Sequence, residues 1–202
     1  MNKFLLFVIA AVMPLALYAN EDKPCEAPNS DPALDIYTGF RISATNMRLS
    51  MDNWENSTNT YPTGIGLNIG YRFNEYTRME LEVDYTDAEN RPGTARLISN
   101  SQMINIYWSS TAARREPSLY AGFGMGTSNL DMNWGTGGWG EGAFKFSYQF
   151  VVGLDLYLNR YLGVDLGIRY RHFGDVMHQI GATRHYTDIY AFQLYAGMKY
   201  KW

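Results

Sequence analysis

The chain has 202 residues and a formal net charge of −3. This charge balance excludes a nucleic-acid-binding protein of the usual kind, because no basic surface is available to neutralise phosphates. Aromatic residues make up 15% of the chain, glycine occurs 19 times, and only 18% of the residues are charged. An ordinary soluble domain has fewer rings and glycines and more charges.

The N-terminal segment has the pattern of a secretory signal peptide. An apolar run from Phe4 to Leu17 follows a lysine, and a small-residue cleavage site ends at Ala19. The run is too short for a membrane-spanning helix, and no later segment approaches twenty uninterrupted apolar residues. The single cysteine, Cys25, has no partner within the chain, so the fold cannot depend on disulfides. We expect a signal peptide at 1–19, a flexible periplasmic leader at 20–33 and one domain at 34–202.

Beyond the leader, apolar residues recur at every second position, which is typical of β-strands and not of helices. In the third such segment, Met79, Leu81 and Val83 alternate without exception with charged residues. The fourth segment is the weakest, and its start is poorly defined. The eight predicted strands are 36–45, 63–73, 78–86, 103–109, 118–126, 144–158, 162–171 and 190–202.

The connections between these segments alternate in length. Those after the second, fourth and sixth segments are short, whereas the other four run to about 12 to 17 residues. Outer-membrane barrels have this pattern, with tight turns on the periplasmic side. The predicted fold is an all-β, eight-stranded antiparallel up-and-down transmembrane β-barrel with short periplasmic turns and four long extracellular loops.

The side of the sheet that faces lipid follows from size and charge. A secreted ligand-binding barrel also alternates, but its apolar face lies inside, and eight strands of large apolar residues would overfill that interior. Reversing the third segment would place Glu80, Glu82 and Asp84 against lipid, where a charged side chain costs up to about 2–4 kcal/mol near the midplane. Apolar side chains are therefore predicted to face outward, and glycine and charged residues to face the lumen.

Three stretches support a family resemblance: LYAGFGMG at 119–126, VDLGIRYRHFG at 164–174 and LYAGMKYKW at 194–202. With the eight-strand plan, they resemble the small outer-membrane barrel superfamily of Gram-negative bacteria, including opacity-type surface proteins and the porin-like outer membrane β-barrel domain family. The resemblance covers essentially everything after residue 34. It implies a location in the cell outer membrane, with outer-membrane lipid and lipopolysaccharide as surroundings.

The end of the chain is similar to the signal by which the barrel-assembly machinery recognises its substrates. That signal has an aromatic last residue preceded by apolar residues at alternate positions. The resemblance implies that the barrel-assembly machinery is a partner during biogenesis. The implied assembly signal is Leu194, Ala196, Met198, Tyr200 and Trp202.

Charged residues of the polar face are predicted to pair inside the lumen, because an unpartnered buried charge is costly. The expected result is a salt-bridged plug that stiffens the barrel. A narrow ion-conducting pore is the alternative, although eight strands leave little room for it. The predicted lumen charge network comprises Arg41, Arg72, Arg78, Glu80, Glu82, Asp84, Lys145, Asp155, Asp165, Arg169, Arg171 and Lys199.

The three histidines, His172, His178 and His185, all lie at or beyond the end of the seventh segment. Their spacing does not match that of a zinc site, and Asp175 and Asp188 are the only local carboxylates. We therefore predict no metal site and no cofactor.

His172 also invites comparison with outer-membrane lipid A deacylases, which resemble this chain in strand number and use a His-x-Ser pair on a late strand. Gly174 occupies the position of that serine, so the nucleophile is missing. The chain is predicted not to be an enzyme, with a lipid-modifying enzyme of this type as the alternative.

The predicted loops after the first and fifth segments combine aromatic residues with flexible glycine. Such sequences suit adhesive contact with host or cell-surface ligands, although aromatics near strand ends also form the interfacial belt of membrane barrels. We predict a structural or surface-interaction, adhesin-like role. The candidate loop contacts are Trp54, Tyr61, Trp134 and Trp139.

Overall fold

The computed structural model describes residues 35–51, 59–60, 62–90, 95–110, 117–134, 138–159, 161–180 and 183–202. The predicted signal peptide and leader lie outside this part of the chain. Within it, no helix is long and apolar enough to cross a membrane. The strands are β1 (Ile36–Met51), β2 (Asn59–Thr60), β3 (Thr63–Arg72), β4 (Thr77–Asn90), β5 (Ala95–Ser109), β6 (Ser118–Trp134), β7 (Gly138–Tyr157), β8 (Leu162–Ile180) and β9 (Thr183–Lys201).

The strands form one closed antiparallel sheet. From β3 to β9 each strand pairs with its neighbour in the chain, β1 pairs with β3, and the sheet closes where β1 pairs with β9. β2 is a two-residue strand that pairs only with the far end of β1, so the barrel wall itself has eight strands. Closure gives each of the eight described wall strands a paired neighbour on both sides, as hydrocarbon requires of backbone groups that lie within it. The predicted eight-stranded up-and-down barrel is confirmed.

Side chains alternate between the two faces as the period of two predicted. Residues of β3 are alternately exposed and buried from Thr63 to Gly70. The outward Leu67 and Val83 are 65% and 59% exposed, whereas the inward Glu82 is 2% exposed. A soluble protein does not expose a continuous belt of large apolar residues. The outer wall is therefore built to contact lipid, and the polar side chains lie inside.

The strands extend beyond their predicted bounds at the end of the barrel opposite the short turns. Only residues 91–94 separate β4 from β5, residues 135–137 separate β6 from β7, and residues 181–182 separate β8 from β9. Most of the predicted long loops at these three places are therefore paired strand, and their predicted length was wrong. Beyond the apolar belt both faces of a strand meet water, so the alternation ends although the backbone pairing continues.

Two of the short turns use the same side-chain device. The Asn74 side-chain oxygen accepts hydrogen bonds from the backbone N–H groups of Tyr76 and Thr77, both at 2.8 Å. Asn159 does the same for Tyr161 and Leu162, again at 2.8 Å. An asparagine that accepts these bonds holds a tight reversal of the chain. The connections β3–β4 and β7–β8 are therefore specified locally.

Leu81→Arg tests the assignment of the outer wall. Leu81 lies midway along the outward row of β4 and is 49% exposed. An arginine near the bilayer midplane is expected to lower the free energy of unfolding by about 2–4 kcal/mol. The measurement is urea unfolding of the barrel in lipid vesicles. Tyr76→Arg, in the exposed β3–β4 turn, is the control and should cost less than about 1 kcal/mol. Equal effects of both substitutions would contradict the assignment.

Candidate functional site

The lumen contains five cationic and five acidic side chains in mutual contact, which we call the lumen charge cluster. Their side chains are at most 8% exposed. The five positive and five negative charges balance, as a narrow lumen that largely excludes water requires. Its members are Arg41, Arg78, Arg169, Arg171 and Lys199 with Glu80, Glu82, Asp84, Asp155 and Asp165.

Arg41 of β1 lies at the centre of the cluster. Its guanidinium contacts Glu80 at 2.7 Å, Glu82 at 3.0 Å and Asp165 at 2.9 Å. These three carboxylates come from β4 and β8, so one side chain links strands on different sides of the barrel. The planar guanidinium has five donors in a fixed geometry and can satisfy several carboxylates at once. Arg41 therefore holds the wall together across the lumen.

Two further groups of ion pairs lie on either side of Arg41. Nearer the short turns, Lys199 contacts Asp155 at 2.7 Å and Asp165 at 3.3 Å, and Arg78 also pairs with Asp155. Toward the other end, Arg169 and Arg171 both bridge the same two carboxylates. Arg171 contacts Asp84 at 2.9 Å and Glu82 at 3.1 Å, while Arg169 contacts Asp84 at 2.7 Å and also Glu82. Each carboxylate thus has more than one cationic partner.

Four buried tyrosines, which the sequence pattern did not predict as part of the network, pack around the charges. The Tyr37 hydroxyl donates to Glu80 at 2.6 Å, and the hydroxyls of Tyr120 and Tyr195 bond to each other. The Arg78 guanidinium lies over the rings of Tyr107 and Tyr120, at 4.7 and 4.4 Å from their centroids. Cation–π contact of this kind is stabilising when the cation is desolvated.

Each of these tyrosines lies directly opposite an inward glycine of a neighbouring strand, which explains the glycine-rich inner face. A Cβ atom at any of these glycines would overlap the ring of its tyrosine. An inward tyrosine opposite an inward glycine on the neighbouring strand is the sequence signal by which these lumen tyrosines could have been predicted. The pairs are Tyr37 with Gly70, Tyr107 with Gly122, Tyr120 with Gly153, and Tyr195 with Gly167.

Beyond the charge cluster, on the side away from the short turns, the lumen is filled by small polar and apolar side chains. Ser128 bonds to Ser101 and to Ser147, each at 2.8 Å. The described lumen-facing groups at this level are almost inaccessible to water, which supports a packed interior and not an aqueous channel. The buried apolar members are Leu130, Phe173, Ile189 and Ala191.

Two residues of the predicted lumen network lie apart from the cluster. Arg72 is at the end with the short turns, where it lies 3.9 Å from Asp35 and contacts the Tyr157 hydroxyl. Lys145 is half-buried on the inward face of β7, close to Gly174 on the neighbouring strand. Both side chains are on the inward face, as the alternation predicts. They lie outside the cluster because their height along the barrel axis differs from that of Arg41.

The residues of the implied assembly signal lie along the outer face of β9, except that Trp202 follows the last strand residue. Tyr200 and Trp202 pack edge to face, with ring centroids 5.4 Å apart. Tyr200 also stacks on Tyr161 of the β7–β8 turn, at 6.3 Å. These rings form part of an aromatic belt at the end with the short turns. Recognition of this strand by the assembly machinery stays a prediction.

The candidate loop contacts are only partly described. Trp54 and Tyr61 lie outside the described residues. The prediction that Trp134 and Trp139 lie in a loop is wrong. Both belong to paired strands, where Trp134 is opposite Gly138 and Trp139 is opposite Asn133. The polar, glycine-rich sequence there indicated a loop because alternation is absent, but the backbone pairing extends through it.

His172, Asp175 and Asp188 come together on the outer wall, although their spacing in the sequence did not indicate a site. One ligand atom from each lies within 4.8 Å of the others. Gly174 lies two residues after His172, at a register shift between His172 and Gly174, and supplies no nucleophile.

The sequence matches the protein family described as outer membrane protein beta-barrel domain over residues 4–201. No curated protein is similar enough in sequence to count as a relative.

Several solved structures have the same fold. Neisserial surface protein A is 17% identical, with a TM-score of 0.58 over 83% of this chain and 97% of its own. The outer membrane protein AlkL is also 17% identical, with a TM-score of 0.57 over 91% of this chain and 96% of its own. Ail of Yersinia pestis is 16% identical, with a TM-score of 0.51 over 83% of this chain and 99% of its own. These likenesses concern the fold alone.

Glu82→Gln tests the lumen charge cluster. Glu82 contacts Arg41, Arg169 and Arg171, so its neutralisation leaves buried positive charge uncompensated. We expect the free energy of unfolding to fall by about 3–5 kcal/mol, measured by urea unfolding in lipid vesicles. Glu75→Gln, in the exposed β3–β4 turn, makes the same chemical change and should shift stability by less than about 0.5 kcal/mol. A Glu82→Gln protein as stable as the parent would show that the cluster does not hold the barrel.

Proposed function

The chain belongs to the outer membrane protein β-barrel domain family, and from this premise we propose that it is a non-enzymatic, adhesin-like surface protein. It is an integral protein of the Gram-negative outer membrane. In this proposal the barrel is a rigid support, and the end opposite the short turns binds ligands on host or neighbouring cells.

The observation that carries this proposal is the filled lumen. Arg78, Glu80 and Asp165 are 0–1% exposed at the centre of the barrel. Conduction requires a path along which ions stay solvated, and a lumen closed by ion pairs and tyrosines offers none. The ion pairs of the lumen charge cluster connect the strands across the barrel and make it stiff. A stiff barrel suits a protein that supports surface contacts.

The shape of the opposite end also supports a role in binding. β8 and β9 stay paired as far as Ile180 and Thr183. At a rise of about 3.3 Å per residue and a tilt of about 40°, β8 continues roughly 20 Å beyond His172. Paired strands hold their side chains in place better than loops do, so less conformational entropy is lost when a ligand binds.

One of the structural relatives has a name that bears on the proposal. Ail is called the attachment invasion locus protein of Yersinia pestis, and it has also been solved with the heparin analogue sucrose octasulfate. A role in attachment is therefore compatible with this fold, and a sulfated glycan is one ligand class to examine for this chain.

Exchange of residues at the end of the barrel opposite the short turns tests the adhesin-like role. Replacing residues 52–58 by a Gly-Ser linker of equal length, together with Trp134→Ser and Trp139→Ser, is expected to abolish adherence of a Gram-negative expression strain to epithelial cells and to immobilised heparin. The control replaces residues 111–116, in a short connection at the other end, and should adhere like the parent. Heat-modifiable migration on gels must persist in both variants. Full adherence after the exchange, or parental adherence no higher than that of the empty strain, would refute the proposal.

Planar bilayer recording separates this proposal from the pore alternative. The purified barrel is expected to give no discrete conductance steps, because its lumen is closed by buried ion pairs. A porin reconstituted in the same lipid serves as the positive control. Reproducible unitary steps from the folded protein would contradict the closed lumen and favour a pore.

A further inference from the structure

The outer wall brings three metal-ligand side chains together, apart from the lumen charge cluster. His172 and Asp175 belong to β8, and Asp188 belongs to β9. One ligand atom from each lies within 4.8 Å of the other two. Around a zinc ion with bonds of about 2.0–2.2 Å, ligand atoms lie about 3–3.5 Å apart. Both carboxylates are exposed, so their side chains can rotate and move the ligand atoms by about 1 Å, which brings them to the separation that a zinc ion needs.

A β-bulge brings these residues to the same face. Residues three apart on a regular strand point to opposite faces, so His172 and Asp175 would normally be separated by the sheet. The register between β8 and β9 shifts between His172 and Gly174, and Gly174 has a φ of 90°. Residues other than glycine rarely adopt this φ. The bulge adds one residue to β8 and turns Asp175 outward beside His172, which is the use of bulges near functional sites.

The charges and the ring at this place also favour a cation. Asp175 and Asp188 lie directly opposite each other across β8 and β9. Like charges at directly opposed positions repel, and a cation between them turns the repulsion into attraction. The His172 ring stacks on Tyr148 of β7, with centroids 5.0 Å apart and an interplanar angle of 25°. This contact uses the face of the imidazole ring and not its nitrogen atoms.

The donor set and its height in the membrane define the ligand and its surroundings. One imidazole and two carboxylates suit zinc and similar divalent transition metals, whereas calcium and magnesium prefer oxygen donors alone. The outward apolar row of β8 runs from Leu162 to Tyr170. Ten residues from Leu162 to His172 rise about 25 Å, the height of the apolar band. The site therefore lies at the headgroup level of the outer leaflet.

We propose that His172, Asp175 and Asp188 form a zinc-class metal site on the outer wall of the barrel, with an open coordination position at the headgroup level. Three protein ligands leave at least one position for water or an external group. The site does not involve the lumen charge cluster, so metal binding and the proposed adhesive role are separable.

Zinc titration of the purified barrel tests this site. The protein is untagged, carries Cys25→Ser to remove the thiol, is stripped with EDTA and is held in a zwitterionic detergent. Isothermal calorimetry is expected to show saturable binding of one Zn²⁺ per barrel, with no competition from Mg²⁺ at the same concentration. His172→Ala and Asp175→Asn should each weaken the affinity at least about tenfold, since each removes one ligand.

The matched control is the His178→Ala, His185→Ala double variant, because these histidines lie opposite each other a few residues further along the same strand pair. It should bind zinc like the parent. Heat-modifiable migration shows that every variant is folded, and adherence should be unchanged by His172→Ala. Absence of saturable zinc binding, equal affinity after either ligand substitution, or loss of binding only in the double control would overturn the proposal.

Discussion

Closure of the sheet, where β1 pairs with β9, is the constraint on which the rest of this structure depends. Backbone groups in hydrocarbon must be hydrogen-bonded within the protein, and a sheet of strands achieves this only when it is closed. With eight strands the enclosed space is barely wide enough for side chains. Each inward residue therefore has to fit the residues across the lumen, and this requirement determines the glycines, the tyrosines and the ion pairs together.

The lumen charge cluster shows how such a fit is reached. Burying ions is costly, and the cost is offset only where each charge has several well-placed partners. Arg41 has three carboxylate partners, and the carboxylates of Glu82 and Asp84 are both shared by Arg169 and Arg171. The inward glycines leave room for the four tyrosines that cover these groups. Polar networks of this kind specify one arrangement more strongly than an apolar filling does, because partial satisfaction is penalised.

The outer wall constrains its residue types less than the lumen does. Its lipid-facing rows need only be apolar, and they tolerate many residue types, whereas its upper margin carries the group of His172, Asp175 and Asp188. The sequence did not predict this group because the usual alternation separates His172 from Asp175, and a bulge is not visible in a hydrophobic pattern. Trp134 and Trp139 were misassigned to a loop for a related reason, since paired strands in water have no apolar face to mark them.

The sequence by itself determined the number of barrel strands, their order and the face to which each side chain points. Alternation with a period of two is a local property, and the cost of placing Glu80 or Glu82 against lipid settles its phase. Only the tertiary structure decided which charges meet. Arg41 and Asp165 are 124 residues apart and pair because the closed barrel brings β1 and β8 to the same height. Strand stagger sets that height, and it depends on the pairing of all the strands together, which no single segment encodes.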